Sequence, residues 1–201
     1  MIGIIDYGMG NIHSVKKALE IMGAKAEVTG EARKLASYAK LVLPGVGAFG
    51  DAMAQLDRTG LSPAIKGFID SGKPFLGICL GMHLLFEESE ESPGIKGLAQ
   101  LRGRVRRFPA MKGLKVPQMG WNSIRPRGSC PLLKDLPQDN SVYFCHSYYP
   151  ETPDKDIEAA VTEYGVTFPS VVCRGSVFAC QFHPEKSQEV GLGMLKNFVE
   201  L

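Results

Sequence analysis

Through its first eighty residues the chain alternates short, apolar, β-branched runs with longer segments of helical period, and this alternation most narrows what it can fold into. "IGIID" leads into a helical pattern from Asn11 to Met22, "AEVT" and "KLVLPG" follow, helical stretches fill Ala48 to Gly72, and "PFLGI" closes the series. Strands that alternate with helices imply βαβ units and a parallel sheet covered on its faces. The second half reads differently. From Gly103 onward "GRVRRF", "PQMGWNSI", "VYFCHSYY", "IEAAVTEY", "FPSVVCR" and "SVFACQF" are strand-like pieces broken by Pro and Gly, and only the closing "QEVGLGMLKNFVEL" has a helical pattern. Antiparallel strands should therefore extend a parallel core into a mixed α/β sheet. No repeat, low-complexity tract or linker divides residues 1–201, which are expected to form one domain.

Composition excludes more than it identifies. A formal charge of +2 provides no long-range pull toward nucleic acid or anionic lipid. The start "MIGIIDYGMGN" lacks the features of a secretory signal, and no apolar segment approaches the roughly 20 residues that span a bilayer, so a cytoplasmic protein is expected. Five cysteines, Cys79, Cys130, Cys145, Cys173 and Cys180, are odd in number and scattered, with no C-x-x-C pair. They read as free thiols, with no disulfide framework, no metal site and no cofactor expected.

One of the five has a particular setting. In "G-I-C-L-G", Gly77 to Gly81, Cys79 falls where a strand-like run meets a helical pattern, the arrangement of a nucleophile elbow whose small flanking residues tolerate a sharp turn. A helix starting there would favour thiolate through its dipole and leave the Leu80 N–H free to face an oxyanion. The bland alternative is a buried small side chain beside a tight turn. A cysteine nucleophile needs a base, and "QFHPEKS" offers one: Pro184 pushes His183 into an extended conformation, so that Glu185 can reach the imidazole and fix its tautomer and orientation. The adjacent Cys145 and His146 form a rival pair, but neighbours on a strand point to opposite faces.

Other features are less specific. Gly45, Gly47 and Gly50 in "LVLPGVGAFG" match G-x-G-x-x-G, with Asp70 at the spacing of a dinucleotide fingerprint. However, the loop follows the third strand rather than the first, and Asp70 falls in a helical stretch. The same glycines suit a mobile loop whose N–H groups approach a developing negative charge. "DYGMGN" is a similar near-match without the third glycine. The arginines of "LRGRVRRF" suggest one polar face of a strand, Glu87 to Glu91 a solvated helix end, and Trp121, the only tryptophan, a core side chain.

Taken together, a G-x-C-x-G elbow, a glycine-rich loop and H-P-E near the C-terminus resemble the class I glutamine amidotransferase family, whose fold is flavodoxin-like. The order of "DYGMGN", "LPGVGAFG", "GICLGMHLLFEESEE", "MGWN", "HSYY" and "QFHPEKS" is most similar to the family's glutaminase subunits of histidine biosynthesis, over essentially the whole chain. The resemblance implies a Cys79–His183–Glu185 triad that releases ammonia from glutamine through a glutamyl thioester. It also implies an oxyanion held by the Leu80 N–H and a peptide N–H of Gly45-Val46-Gly47, with Glu91, Ser147 and Tyr148 binding the amino-acid end of glutamine. A separate (β/α)₈ cyclase subunit, joined as a heterodimer across positions including Asn11, Trp121 and Lys186, would consume the ammonia. His83 departs from the pattern, since family members commonly have glutamine there and use it toward substrate; an imidazole lacks the paired donor and acceptor of an amide. Two other readings stay open from the residues alone: a cysteine peptidase or other small-molecule enzyme of related fold, and a binding protein that does no chemistry.

Overall fold

The computed structural model describes residues 1–137 and 140–201. Each apolar run of the first half becomes a parallel strand: β1 (Ile2–Ile5), β2 (Ala26–Thr29), β3 (Lys40–Gly45) and β4 (Phe75–Cys79). Helices α1 (Ile12–Ile21), α2 (Phe49–Arg58) and α3 (Leu61–Asp70) connect them, α2 and α3 being separated at Gly60, whose φ of 70° only glycine adopts without strain. Asn11 starts α1 by accepting a hydrogen bond from the Ser14 N–H, as an N-cap residue should.

After β4 come a single helical turn, α4 (Leu80–His83), and short strands β5 (Glu88–Ser89), β6 (Arg104–Arg107), β7 (Gln118–Ser123), β8 (Arg125–Pro126), β9 (Ser141–His146) and β10 (Tyr148–Glu151). The chain ends with β11 (Glu158–Tyr164), β12 (Val166–Arg174), β13 (Val177–Cys180) and α5 (Gln188–Glu200). The large sheet has the order β2-β1-β3-β4-β13-β12-β11-β8. It is parallel from β2 to β13 and antiparallel beyond, the mixed sheet expected from the sequence.

β1 and β4 are buried along their whole length, and successive residues serve different cores: Ile4, Val42 and Ile78 pack on one face, and Ile5, Leu43 and Phe75 on the other. That two-sided burial is why these strands read as continuous apolar runs rather than alternating ones. Each such large apolar side chain contributes roughly 1.5–3 kcal/mol on burial.

Three expectations are corrected. "VYFCHSYY" is two strands, because Ser147 breaks the run and β9 and β10 join different sheets, β7-β9 and β10-β6-β5. The helix after Cys79 is one turn long, and Glu88–Ser89 is strand rather than helix end, paired in parallel with β6. Trp121 is 50% exposed, not core. Two arginines of β6 do share a face, Arg104 and Arg106 both pairing with Glu151 and Arg106 also reaching Glu90, whereas Arg107 follows Arg106 directly and falls on the opposite face. Asp70 ends α3, outside any dinucleotide arrangement.

Candidate active site

Cys79 ends β4 with φ 54° and ψ −109°, a left-handed conformation unusual for a side chain other than glycine. Its flanking glycines are set by space. A Cβ at Gly77 would lie 2.7 Å from the Gly81 carbonyl oxygen, and one at Gly81 would overlap the Leu43 carbonyl oxygen of β3. The turn can therefore close on itself and against the neighbouring strand only without side chains. Because α4 is a single turn, its dipole offers Cys79 little, and the charge partner is a histidine instead.

That histidine arrives through topology. The last strand, β13, lies beside β4 with Cys180 opposite Ile78, so the residues after it emerge next to Cys79. His183 is extended at φ −98° and ψ 96°, the conformation that the following proline favours. Its Nδ1 and Glu185 Oε1 are 2.9 Å apart, both side chains being almost wholly buried. Burial disfavours the imidazolium, but hydrogen bonds with Cys79 and Glu185 outweigh it and raise the pKa from 6.5 to about 10. Ser187 pins the segment, its hydroxyl donating to the His183 carbonyl at 2.6 Å and accepting from the Tyr143 N–H at 2.9 Å.

Above the elbow lies "P-G-V-G". Gly47 has φ 99°, so its glycine answers a conformational need, whereas Gly45 is glycine for space, since a Cβ there would overlap the Tyr7 hydroxyl. Val46 between them is 44% exposed. Glu91 sits at the start of α2, one carboxylate oxygen accepting from the Phe49 N–H at 2.8 Å and supplying the cap that Ala48 lacks. A cleft of about 370 Å³ joins these parts, bounded by Cys79, Val46, Glu91, Ser147, Tyr148 and His183, with Leu80, Gly47, His83 and Lys186 also on its walls.

Most of the expected residues thus meet in one place. Trp121 and Lys186 stand at the rim: Lys186 Nζ lies 5.9 Å from the centre of the Tyr143 ring, and Trp121 meets that ring edge-on at 6.2 Å. Asn11 lies next to Gly10, whose Cβ position is 3.7 Å from the Gly45 backbone. The rival His146 turns away from Cys145, and its Nδ1 donates to the Tyr148 carbonyl at 2.7 Å. Burial lowers its pKa to about 3, so it stays neutral and braces the kink that presents Ser147 and Tyr148. Two residues escaped the sequence reading. Tyr7 is buried against the loop with its hydroxyl unpartnered among the described residues. Gln181, two residues before His183 in "QFHPEKS", is fully buried beside Cys79. Among the described residues, no group of acidic, histidine and cysteine side chains could hold a metal, and no helix is long and apolar enough to cross a membrane.

Comparison with known proteins identifies the family. The family model "Glutamine amidotransferase class-I" matches residues 3–201. The imidazole glycerol phosphate synthase subunit HisH of Caldanaerobacter subterraneus subsp. tengcongensis is 52% identical over 201 residues, covering 100% of this chain and 98% of the relative. That of Methanocaldococcus jannaschii is 48% identical, covering 100% of both. In fold, a crystal structure of a glutamine amidotransferase matches with TM-score 0.76 at 19% identity over 100% of this chain and 99% of that one. The structure of PurLQS from Thermotoga maritima matches with TM-score 0.76 at 20% identity, covering 99% and 97%. The chain therefore belongs to the class I glutamine amidotransferases and, within them, to the HisH subunits of imidazole glycerol phosphate synthase.

Proposed function

We infer that this amidotransferase hydrolyses glutamine through Cys79 and passes the ammonia to a separate cyclase subunit. The observation that carries the reading is the strained Cys79 turn sharing one cleft with a His183 whose Nδ1 is held 2.9 Å from Glu185. The Cys79 thiolate attacks the side-chain amide carbon of glutamine, the C–N bond breaks, and His183 gives its proton to the departing ammonia. Water then attacks the thioester as His183 takes its proton, releasing glutamate and the thiolate. Glu185 holds the imidazole and stabilises its charged form. The Leu80 N–H and a peptide N–H of Gly45-Val46-Gly47 receive the oxyanion, while Glu91 attracts the substrate ammonium and Ser147 and Tyr148 line its path.

The cyclase subunit docks around the rim. Met119 and Trp121 are 64% and 50% exposed on one face of β7, and the Trp121–Tyr143–Lys186 cluster leads from there into the cleft. Exposed aromatic and methionine side chains beside an active site mark a surface built to be covered. Asn11, which follows β1, adjoins the Gly45-Val46-Gly47 loop at the same end of the sheet. We place the pair in the cytoplasm, where histidine biosynthesis supplies the cyclase with its phosphoribulosyl substrate.

In the reconstituted complex, Cys79→Ala should abolish glutamine-dependent formation of imidazole glycerol phosphate and leave the ammonium-dependent rate intact. Undiminished glutamine use by this variant would refute the assignment of the nucleophile.

A further inference from the structure

His83 lies four residues beyond Cys79, one turn up α4, and it is 5% exposed. Its Nε2 is 2.7 Å from Gln181 Oε1. Gln181 is fully buried; its backbone N–H is fixed on the Ser170 carbonyl at 2.9 Å, and its side-chain Nε2 is directed at Cys79 Sγ from 4.0 Å. These three side chains make a chain of contacts that the triad does not use.

The donors and acceptors fit in one sense only. The His83 ring is neutral near neutral pH, because burial lowers its pKa to about 4, so it carries a single N–H. With that hydrogen on Nε2, the Gln181 oxygen faces the imidazole and the amide N–H₂ is turned toward the sulfur. The opposite tautomer would turn the amide round and set a carbonyl oxygen against a thiolate, which is repulsive. A fully buried amide cannot turn to water to escape that choice.

We propose that His83 and Gln181 are a positioning pair: the imidazole orients the Gln181 amide, and the amide N–H holds the Cys79 sulfur and favours its thiolate. In this sequence the histidine thus acts on the nucleophile through Gln181. This inference rests on Cys79 being the nucleophile, and it assigns Gln181 a part in the reaction.

The test is the rate of Cys79 alkylation by iodoacetamide as a function of pH, located by peptide mass spectrometry on the full chain. Removing the amide donor in Gln181→Met, or the orienting imidazole in His83→Leu, should cut the rate at pH 7 roughly three- to tenfold and move the profile to higher pH, since a hydrogen bond to a charged group is lost. His83→Gln keeps an N–H that can donate to Gln181 Oε1 and should recover most of the loss. His183, Tyr7 and Cys180, the other titratable groups that interact with Cys79, are unchanged in all three variants. If Gln181→Met does not fold, Gln181→Asn withdraws the amide by one methylene and serves the same purpose. In the complex with the cyclase, kcat for glutamine should fall while KM holds. A rise in KM at constant kcat would overturn the proposal in favour of substrate contact, and an unshifted alkylation profile in Gln181→Met would overturn it outright. Absence of alkylation at Cys79 in the wild-type chain would instead refute the nucleophile assignment itself.

Discussion

The two glycine-containing turns of the cleft are built in opposite ways. At the elbow, Gly77 and Gly81 are glycines because backbone presses on them: a side chain would meet the Gly81 carbonyl in one case and the Leu43 carbonyl in the other. Both neighbours are main chain, inside a wholly buried strand and turn. At the loop, the Cβ position of Gly47 meets only the terminal carbon of Met9, at 2.7 Å, and Val46 beside it is 44% exposed. The elbow is closed around its glycines by backbone, whereas the loop is closed only at Gly45, against the Tyr7 hydroxyl, and is open at Val46 and Gly47. A nucleophile must be placed once and kept there; an oxyanion donor that can be withdrawn allows a glutaminase to wait for the consumer of its ammonia.

The contrast can be broken or sharpened experimentally, and its largest predicted effect lies on the rigid side. His183 is 4% exposed and its pKa is raised from 6.5 to about 10, so its charge stabilises the fold fully below about pH 6.5, and that stabilisation disappears as pH rises through about 10. The difference in urea midpoint between wild type and His183→Gln should therefore shrink steadily over that range. A difference that is constant with pH would remove the ion pair from the account. Next comes the loop. Losing one oxyanion donor costs about 10²–10³ in turnover, so the isolated chain should release glutamate at least roughly a hundredfold more slowly than the complex carrying the cyclase and its ribotide ligand. Equal rates alone, with cyclase, and with cyclase plus ligand would make the loop as rigid as the elbow.

The smallest effects compare the turns directly by stability. Gly81→Ala should cost about 3 kcal/mol, the upper end of ordinary overpacking, because strand backbone has to move. Gly47→Ala should cost only about 1–2 kcal/mol, the strain of a positive φ, while the Met9 side chain yields. Urea denaturation of the two variants decides the order, and the reverse ranking would undo the comparison.

The sequence made the rigid parts legible and the braces invisible. β1, β3 and β4 could be read because two-sided burial demands nearly uninterrupted apolar runs, and "KLVLPG" matches β3 residue for residue; "AEVT" also matches β2, although that edge strand is only partly buried. Cys79, His183 and Glu185 stood out because their chemistry needs glycine and proline neighbours that leave a local mark. "VYFCHSYY" could not be divided from pattern alone: the break at Ser147 depends on His146 folding back onto the Tyr148 carbonyl, a contact that no periodicity encodes. The length of α4 was equally hidden, since the apolar "LLF" that follows is buried whether helical or not. Tyr7 and Gln181 reach Cys79 from the opposite ends of the chain, and only the place of β13 beside β4 shows that Gln181 belongs to the site.

The central claim is that Cys79 is an activated nucleophile facing a glutamine-shaped cleft. The most direct measurement is the mass of the intact chain after exposure to an electrophilic glutamine analogue, with and without excess glutamine. The account predicts one adduct per chain, on Cys79, formed more slowly in the presence of glutamine and nearly absent in His183→Ala. An adduct on another of the five cysteines, or labelling of Cys79 that glutamine does not slow, would contradict it.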